Sequence, residues 1–178
     1  GYKYIFKDNN SFFQNVYYLP PGTFATFDES RNLQLEEIWD KFSEKEEDMS
    51  YQEAVEGTKN FLIKSVERCL RADVPIAFCL SGGIDSNALI SIAKKECGYD
   101  VHGYTVMNKN DKYEEKDLVE STVDFLNIKH KILDVGDGNL LDDLNKAIKG
   151  YSGPLLNSNY LEHWKLMQLI KDDGYKVS

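Results

Sequence analysis

Six consecutive residues, Ser81-Gly82-Gly83-Ile84-Asp85-Ser86, hold the densest chemistry in this chain. Two hydroxyls and a carboxylate surround a pair of glycines. The absence of a Cβ at both glycines lets an oxyanion come close to the main chain. Immediately before them, Ile76 to Leu80 is an apolar run with the length and character of a buried parallel strand. Immediately after, Asp85-Ser86-Asn87 opens a helical pattern with Ala88, Leu89, Ile92 and Ala93 on one side. A strand, a tight turn and a helix start gather backbone N–H groups that have no helical partner, at the positive end of the helix dipole. The expected ligand is a phosphate. The spacing is neither G-x-x-x-x-G-K followed by Ser or Thr, since no lysine follows the glycines, nor G-x-G-x-x-G. Asp85 inside such a cradle would repel a polyphosphate, so a Mg²⁺ ion bridging Asp85 and the phosphate oxygens is expected. A plain strand-to-helix turn, with Asp85 and Ser86 only capping the helix, is the competing reading.

The elements around this stretch follow from periodicity. Ser50-Tyr51-Gln52-Glu53 has the form of a capping box. Behind it Ala54, Val55, Thr58, Phe61, Leu62, Val66, Cys69 and Leu70 recur at helical spacing, and the helix should end before Pro75. The helix from Asp85 is expected to reach Cys97, with Gly98 as its C-cap. Val101 to Val106 reads as a second strand, a helix from about Glu114 carries Leu118, Val119, Thr122, Val123, Phe125 and Leu126, and Lys129 to Val135 reads as a third strand with Lys131 facing away from the core. Asp137-Gly138-Asn139 leads into a helix with Leu140, Leu141, Leu144, Ala147 and Ile148, stopped by Gly150. A last helix, about Asn159 to Lys171, is capped by Gly174, and Tyr175-Lys176-Val177 begins a fourth strand. Alternating strands and helices predict an α/β fold: a parallel sheet with helices on both faces, its ligand site at the carboxyl ends of the strands. The glycine turn, the turn after Val106 and the turn after Val135 all fall at that edge.

Upstream, residues 1–48 read as a β-rich connecting segment and acidic linker, and residues 49–178 as the main domain. Tyr2, Tyr4 and Phe6 alternate as in a strand, and Val16-Tyr17-Tyr18 precedes the rigid bend Leu19-Pro20-Pro21-Gly22. Phe24 to Phe27 reads as another strand, while Glu29 to Asp48 is polar and acidic with Leu33, Leu35, Ile38, Trp39 and Phe42 as anchors.

Composition narrows the partners. Across 178 residues the formal net charge is -9, against a nucleic-acid surface, and no apolar run approaches the length of a membrane span. The three cysteines, Cys69, Cys79 and Cys97, form no C-x-x-C pair, Cys79 being expected in the core. His102, His130 and His163 share no metal spacing. With no secretory leader read, a cytoplasmic protein is expected.

Ser81-Gly82-Gly83-Ile84-Asp85-Ser86 resembles the pyrophosphate loop (PP-loop) of the N-type ATP pyrophosphatases, the adenine nucleotide alpha-hydrolase-like fold. The Pro-Pro-Gly bend, Trp39 and His102-Gly103-Tyr104-Thr105-Val106 are similar to features of the synthetase domain in the glutamine-hydrolysing asparagine synthetase family. That resemblance implies ATP and Mg²⁺ as cofactors. Ser81, Gly82, Gly83 and Ser86 would hold the β and γ phosphates, Leu80 and Val106 the adenine, and Asp85 the metal, with Asp85 and Ser81 as the catalytic residues. A core valine is the competing reading of Val106. Glu114, Glu115 and Asp117 resemble the acidic start of the family's following helix and read as a capping, solvent-facing cluster rather than as ligands. The implied reaction activates a carboxylate, aspartate or a related acid, as an acyl-adenylate with release of pyrophosphate, followed by attack of ammonia. Ammonia would come from glutamine through a glutaminase domain outside this chain, and a homodimer of the full-length protein is left open. The family's second Gly-rich acidic motif would follow Ser178, so a fragment inactive by itself is expected. Gly153-Pro154-Leu155-Leu156-Asn157-Ser158-Asn159, in the carboxylate-substrate region, lacks the arginine of an enzyme committed to aspartate. A tRNA-modifying or nucleotide-synthesising PP-loop enzyme, or an ATP-binding module without turnover, is the alternative.

Overall fold

The structure, a computed structural model, describes residues 9–38, 48–107, 115–135, 139–155 and 157–178. The chain divides into two compact units, residues 1–48 and 49–178.

In the first unit, an antiparallel bridge joins Asn10 to Tyr17. Gly22, at a φ of 67° that favours glycine, turns the chain into β1 (Thr23–Phe27). β1 pairs antiparallel with β2 (Leu33–Glu37). Residues 33–37, expected within the acidic linker, form a strand instead. Leu33 and Leu35 alternate with Gln34 and Glu36 at strand period, but the surrounding acidic composition obscured the pattern. The Asp28 carboxylate closes the hairpin by accepting from the Asn32 amide at 2.8 Å and from its Nδ2 at 2.9 Å. These bonds hold its pKa below the ordinary carboxylate value. The strand expected around Tyr2, Tyr4 and Phe6 lies outside the described residues, as does the linker from Trp39 through Phe42 to Glu47.

The second unit begins with α1 (Tyr51–Cys69), whose capping box is complete: Ser50 Oγ accepts from the Glu53 amide at 3.3 Å, and Glu53 accepts from the Ser50 amide at 2.8 Å. The sheet runs β3 (Phe78–Cys79), β4 (His102–Met107), β5 (Lys129–Asp134), all parallel. A parallel bridge from Ile76 to Val177 starts a fourth position beside β3, where Ala77 N–H donates to the Val177 carbonyl at 2.9 Å. The remaining elements are α2 (Ile84–Ser91), α3 (Glu115–Leu126), α4 (Leu140–Tyr151) and α5 (Ser158–Asp172).

Alternation along the strands builds two cores, one on each face of the sheet. Leu80, Val101 and Ile128 pack with Val66 of α1, Ile90 of α2 and Val119 and Leu126 of α3. On the opposite face, Ala77 and Tyr104 pack with Leu166 and Ile170 of α5. Helices therefore cover both faces of the sheet, as an α/β fold requires.

Four local expectations change. The helix after Ser86 is not α-helical to Cys97; Ile92–Glu96 forms a π-turn in which the Cys97 N–H donates to the Ile92 carbonyl, an i to i−5 bond. The first strand pairs with β4 over two residues rather than five, and Leu80, just past it, gives its carbonyl to a side chain instead of the ladder. Gly150 does not stop α4, which ends at Ser152 in the left-handed region at φ 53°. Gly150 instead permits close helix contact, because a Cβ there would lie 2.8 Å from Trp164 Nε1. Cys79 is exposed rather than buried.

Candidate nucleotide site

Strand β3 delivers Leu80 to the edge of the sheet with both main-chain groups engaged. Its N–H donates to the Tyr104 carbonyl at 2.8 Å, and its carbonyl accepts from Thr105 Oγ at 2.7 Å. Thr105 is 4% exposed, and its Oγ also lies 2.8 Å from His130 Nε2. The hydroxyl proton goes to the Leu80 carbonyl, so His130 must donate from Nε2. Burial pushes the His130 pKa below the ordinary histidine value.

Beyond Leu80 the chain turns on Ser81, Gly82 and Gly83 into α2. Gly83 is the N-cap, extended at φ -75° and ψ 150°, and no side chain caps the helix. The Gly83 amide is taken by Ser81 Oγ at 3.2 Å and the Ser81 amide by Ser86 Oγ at 3.3 Å. Among the described residues, the amides of Gly82, Ile84, Asp85 and Ser86 have no acceptor. Four open donors at a helix N-terminus are an arrangement able to bind an anion. A capping role for Asp85 or Ser86 does not account for them, because neither side chain takes those amides.

The two hydroxyls of the turn lie 2.9 Å apart. Ser86 Oγ also approaches the carbonyls of Ser81 at 3.2 Å and Gly83 at 3.1 Å. Asn87 reaches the same two carbonyls through Nδ2, at 2.9 and 2.7 Å, and its Oδ1 accepts from Thr122 of α3 at 2.5 Å. The Asp85 side chain is exposed and has no ion-pair partner among the described residues. No group of three or more His, Cys, Asp or Glu gathers to hold a metal among the described residues. Mg²⁺ needs no such group where phosphate oxygens complete its shell around one carboxylate. The residues of the turn therefore fit a Mg²⁺-bearing polyphosphate.

Leu80, Ser81, Gly82, Gly83, Asp85 and Ser86 thus form one continuous turn at the carboxyl end of β3. Val106 sits on the neighbouring strand, half-buried, on the face of the Tyr104 cluster. Glu114 and the turns at 108–114 and 136–138 lie outside the described residues. Sequence reasoning missed Asn87, Thr122, Thr105 and His130. Asn87 carried a usable signal, because asparagine disfavours a helix interior and competes for backbone groups. Thr122 was read as one position of an apolar stripe, and the other two sat within strands, so nothing in one dimension linked them to the turn.

At the amino ends of the strands a second polar group closes the fold. Tyr104, wholly buried, donates from its hydroxyl to Asp173 at 2.9 Å, and Lys131 pairs with the same carboxylate at 2.7 Å. His102 Nδ1 lies 3.2 Å from the hydroxyls of Tyr104 and Tyr175. Burial pushes the Tyr104 pKa above its ordinary value and the His102 pKa below its own. In the segment read as a carboxylate-substrate region, Asn157 caps α5 by accepting from the Asn159 amide at 3.0 Å.

No helix among the described residues is long and apolar enough to cross a membrane. The model of the asparagine synthase family matches residues 57–178. The chain is 31% identical over 110 residues to the glutamine-hydrolyzing asparagine synthetase 2 of Bacillus subtilis, covering 58% of this chain and 14% of that protein. It is 27% identical over 150 residues to asparagine synthetase 3 of the same organism, covering 76% of this chain and 24% of that protein. To amidase chry2 of Gibberella zeae it is 24% identical over 189 residues, covering 96% of this chain and 28% of that protein. The chain spans from 14% to 28% of the length of these relatives.

Proposed function

Because the chain belongs to the asparagine synthase family, we propose that it supplies the ATP-binding half-site of an amide-forming ligase. One observation carries this reading above the others: the amides of Gly82, Ile84, Asp85 and Ser86 stand open at the start of α2. Ser81, Gly82, Gly83 and Ser86 receive the β and γ phosphates of the substrate ATP. The Leu80 main chain and Val106 border the adenine. Asp85 would hold a Mg²⁺ ion, which would supply positive charge to offset that of the phosphates.

An oxygen of the substrate carboxylate attacks the α-phosphorus, and the bond to the β-phosphate breaks. Pyrophosphate leaves with the electron pair. Open amides and serine hydroxyls aimed at its oxygens stabilise the charge that accumulates there, so Ser81 and its neighbours act by positioning and electrostatics rather than as nucleophiles. Ammonia then attacks the acyl carbon of the acyl-adenylate, the carbon–oxygen bond breaks, AMP leaves, and the ammonium nitrogen sheds its proton. In the intact protein the ammonia comes from glutamine by way of a separate glutaminase domain. The substrate is aspartate or a related acid. The segment around Asn157 offers no arginine to pair with a second carboxylate, which favours an acid other than aspartate.

The test is product analysis with the intact protein, ATP, Mg²⁺, ammonia and a panel of carboxylates. AMP and pyrophosphate in equal amounts, dependent on one acid, support the reading; ADP and orthophosphate would refute it. Asp85→Asn should weaken ATP·Mg²⁺ binding by about tenfold or more. Unchanged affinity in that variant would remove the metal role from Asp85.

A further inference from the structure

The open amides of the turn need something to keep them open, and the hydrogen bonds around Ser81 and Gly83 identify it. We propose that Asn87, anchored by Thr122, is the positioning residue that aims the phosphate-binding amides. In a trans peptide unit the C=O and the following N–H point in opposite directions, and the described chain has no cis peptide. Holding the Ser81 carbonyl on the α2 side of the turn therefore turns the Gly82 N–H away from it. The Gly83 carbonyl is held there too, but it also takes the Asn87 main-chain N–H at 3.3 Å, so the helix itself helps to aim the Ile84 N–H and the side chain's own contribution falls on the Gly82 N–H.

Two side chains reach those carbonyls, but only one can hold both at once. Ser86 Oγ has a single proton to share among the Ser81 carbonyl, the Gly83 carbonyl and Ser81 Oγ. Asn87 Nδ2 has two protons and two carbonyl acceptors, at 2.9 and 2.7 Å. Since both acceptors are carbonyls, the carboxamide can face them only with its NH₂, which leaves Oδ1 to accept from Thr122, whose single proton goes to this nearer oxygen rather than to the Leu118 carbonyl at 3.0 Å. Thr122 stands on α3, so the orientation of the turn is referred to a helix packed in the core beneath the sheet through Val119 and Leu126. Ser86 is thereby released to give its proton to a ligand.

This inference rests on the reading of the turn as a phosphate site, and the experiment separates the two. ATP·Mg²⁺ and inorganic pyrophosphate are titrated calorimetrically against the intact protein, and KM is measured for ATP and for the carboxylate. Four variants are compared: Asn87→Ala, Asn87→Asp, Thr122→Val and Thr122→Ser. Asn87→Asp keeps the shape but sets a carboxylate against two carbonyls, so it should be the weakest binder. Asn87→Ala should lose about tenfold in affinity for both probes, and Thr122→Val about threefold. Thr122→Ser, which keeps the hydroxyl, should bind like the wild type. KM for ATP should rise in the weakened variants while KM for the carboxylate stays put, a split that general loosening of the fold would not produce. Hydrogen exchange of the peptide spanning Leu80 to Asn87 should quicken in Asn87→Ala. If wild type binds neither probe, the phosphate reading falls and this inference with it. If wild type binds and Asn87→Ala and Thr122→Val bind equally well, or if both KM values rise together in every variant, the positioning role alone is overturned. Should Asn87→Ala fail to fold, the contrast between Thr122→Val and Thr122→Ser decides.

Discussion

Replacing Thr105 with valine tests whether the strand that feeds the phosphate turn is fastened by a side chain. Valine has nearly the shape of threonine, so the change isolates the hydroxyl. That hydroxyl joins the Leu80 carbonyl at 2.7 Å to His130 Nε2 at 2.8 Å, in a residue 4% exposed. His130 is half-buried, and any cost of leaving its Nε2 without this partner adds to the loss at Leu80. The Leu80 carbonyl has no other donor among the described residues and lies in a residue 2% exposed. Leaving such an acceptor without a partner costs about 1–3 kcal/mol, and we expect about 2 kcal/mol for Thr105→Val. Thr105→Ser keeps both bonds and loses one buried methyl, about 1 kcal/mol. The predicted order of stability is thus Thr, then Ser, then Val. Hydrophobic burial alone ranks valine at or above threonine. The assay is urea unfolding of the intact protein, read as a shift in midpoint at constant m-value, with hydrogen exchange of the Ile76–Ser81 peptide as the local probe. For a unit of this size about 2 kcal/mol corresponds to a melting temperature roughly 6–10 °C lower. Valine as stable as threonine, with unchanged exchange at Leu80, would refute the fastening.

Three further outcomes follow from particular contacts. Gly150→Ala gains about 1 kcal/mol of helix propensity within α4. It also drives a Cβ to 2.8 Å from Trp164 Nε1 and 3.3 Å from Cδ1, and overpacking against a rigid ring costs about 1–3 kcal/mol. Net destabilisation in chemical unfolding, relieved by adding Trp164→Phe, is expected. Asn157→Ala removes the cap of α5 and should cost about 1 kcal/mol in the same measurement, with Asn157→Asp retaining most of it. His102 and His130 both have pKa values lowered by burial, so the folded state favours the neutral ring. Their contribution is complete above the unfolded histidine value near pH 6.5. It is lost as pH falls below that, because the unfolded chain takes up protons first. The melting temperature should therefore drop between pH 7 and pH 5, and His130→Asn should flatten the slope. Asp100 and Asp173 have lowered values through Lys129 and Lys131, so their losses begin only near pH 4 and leave that window clear.

The sequence alone determined the alternation of strands and helices, the capping box at Ser50 and Glu53, and the turn at Ser81 to Ser86. All of these are written within a few residues of one another, where period, propensity and turn chemistry act. The same local rules misassigned Gly150, which looked like a helix stop, because its need for a missing Cβ comes from Trp164 on another helix. They passed over β2, whose two leucines lay in an acidic run, until pairing with β1 gave that run a partner. They placed Cys79 in the core, whereas it is exposed. Only the tertiary structure decided how the phosphate turn is held. Asn87 meets Thr122 across 35 residues, and Leu80 meets Thr105 across 25. A hydrogen bond between distant residues exists only once packing sets donor and acceptor within about 3 Å, and no period along the chain encodes that distance.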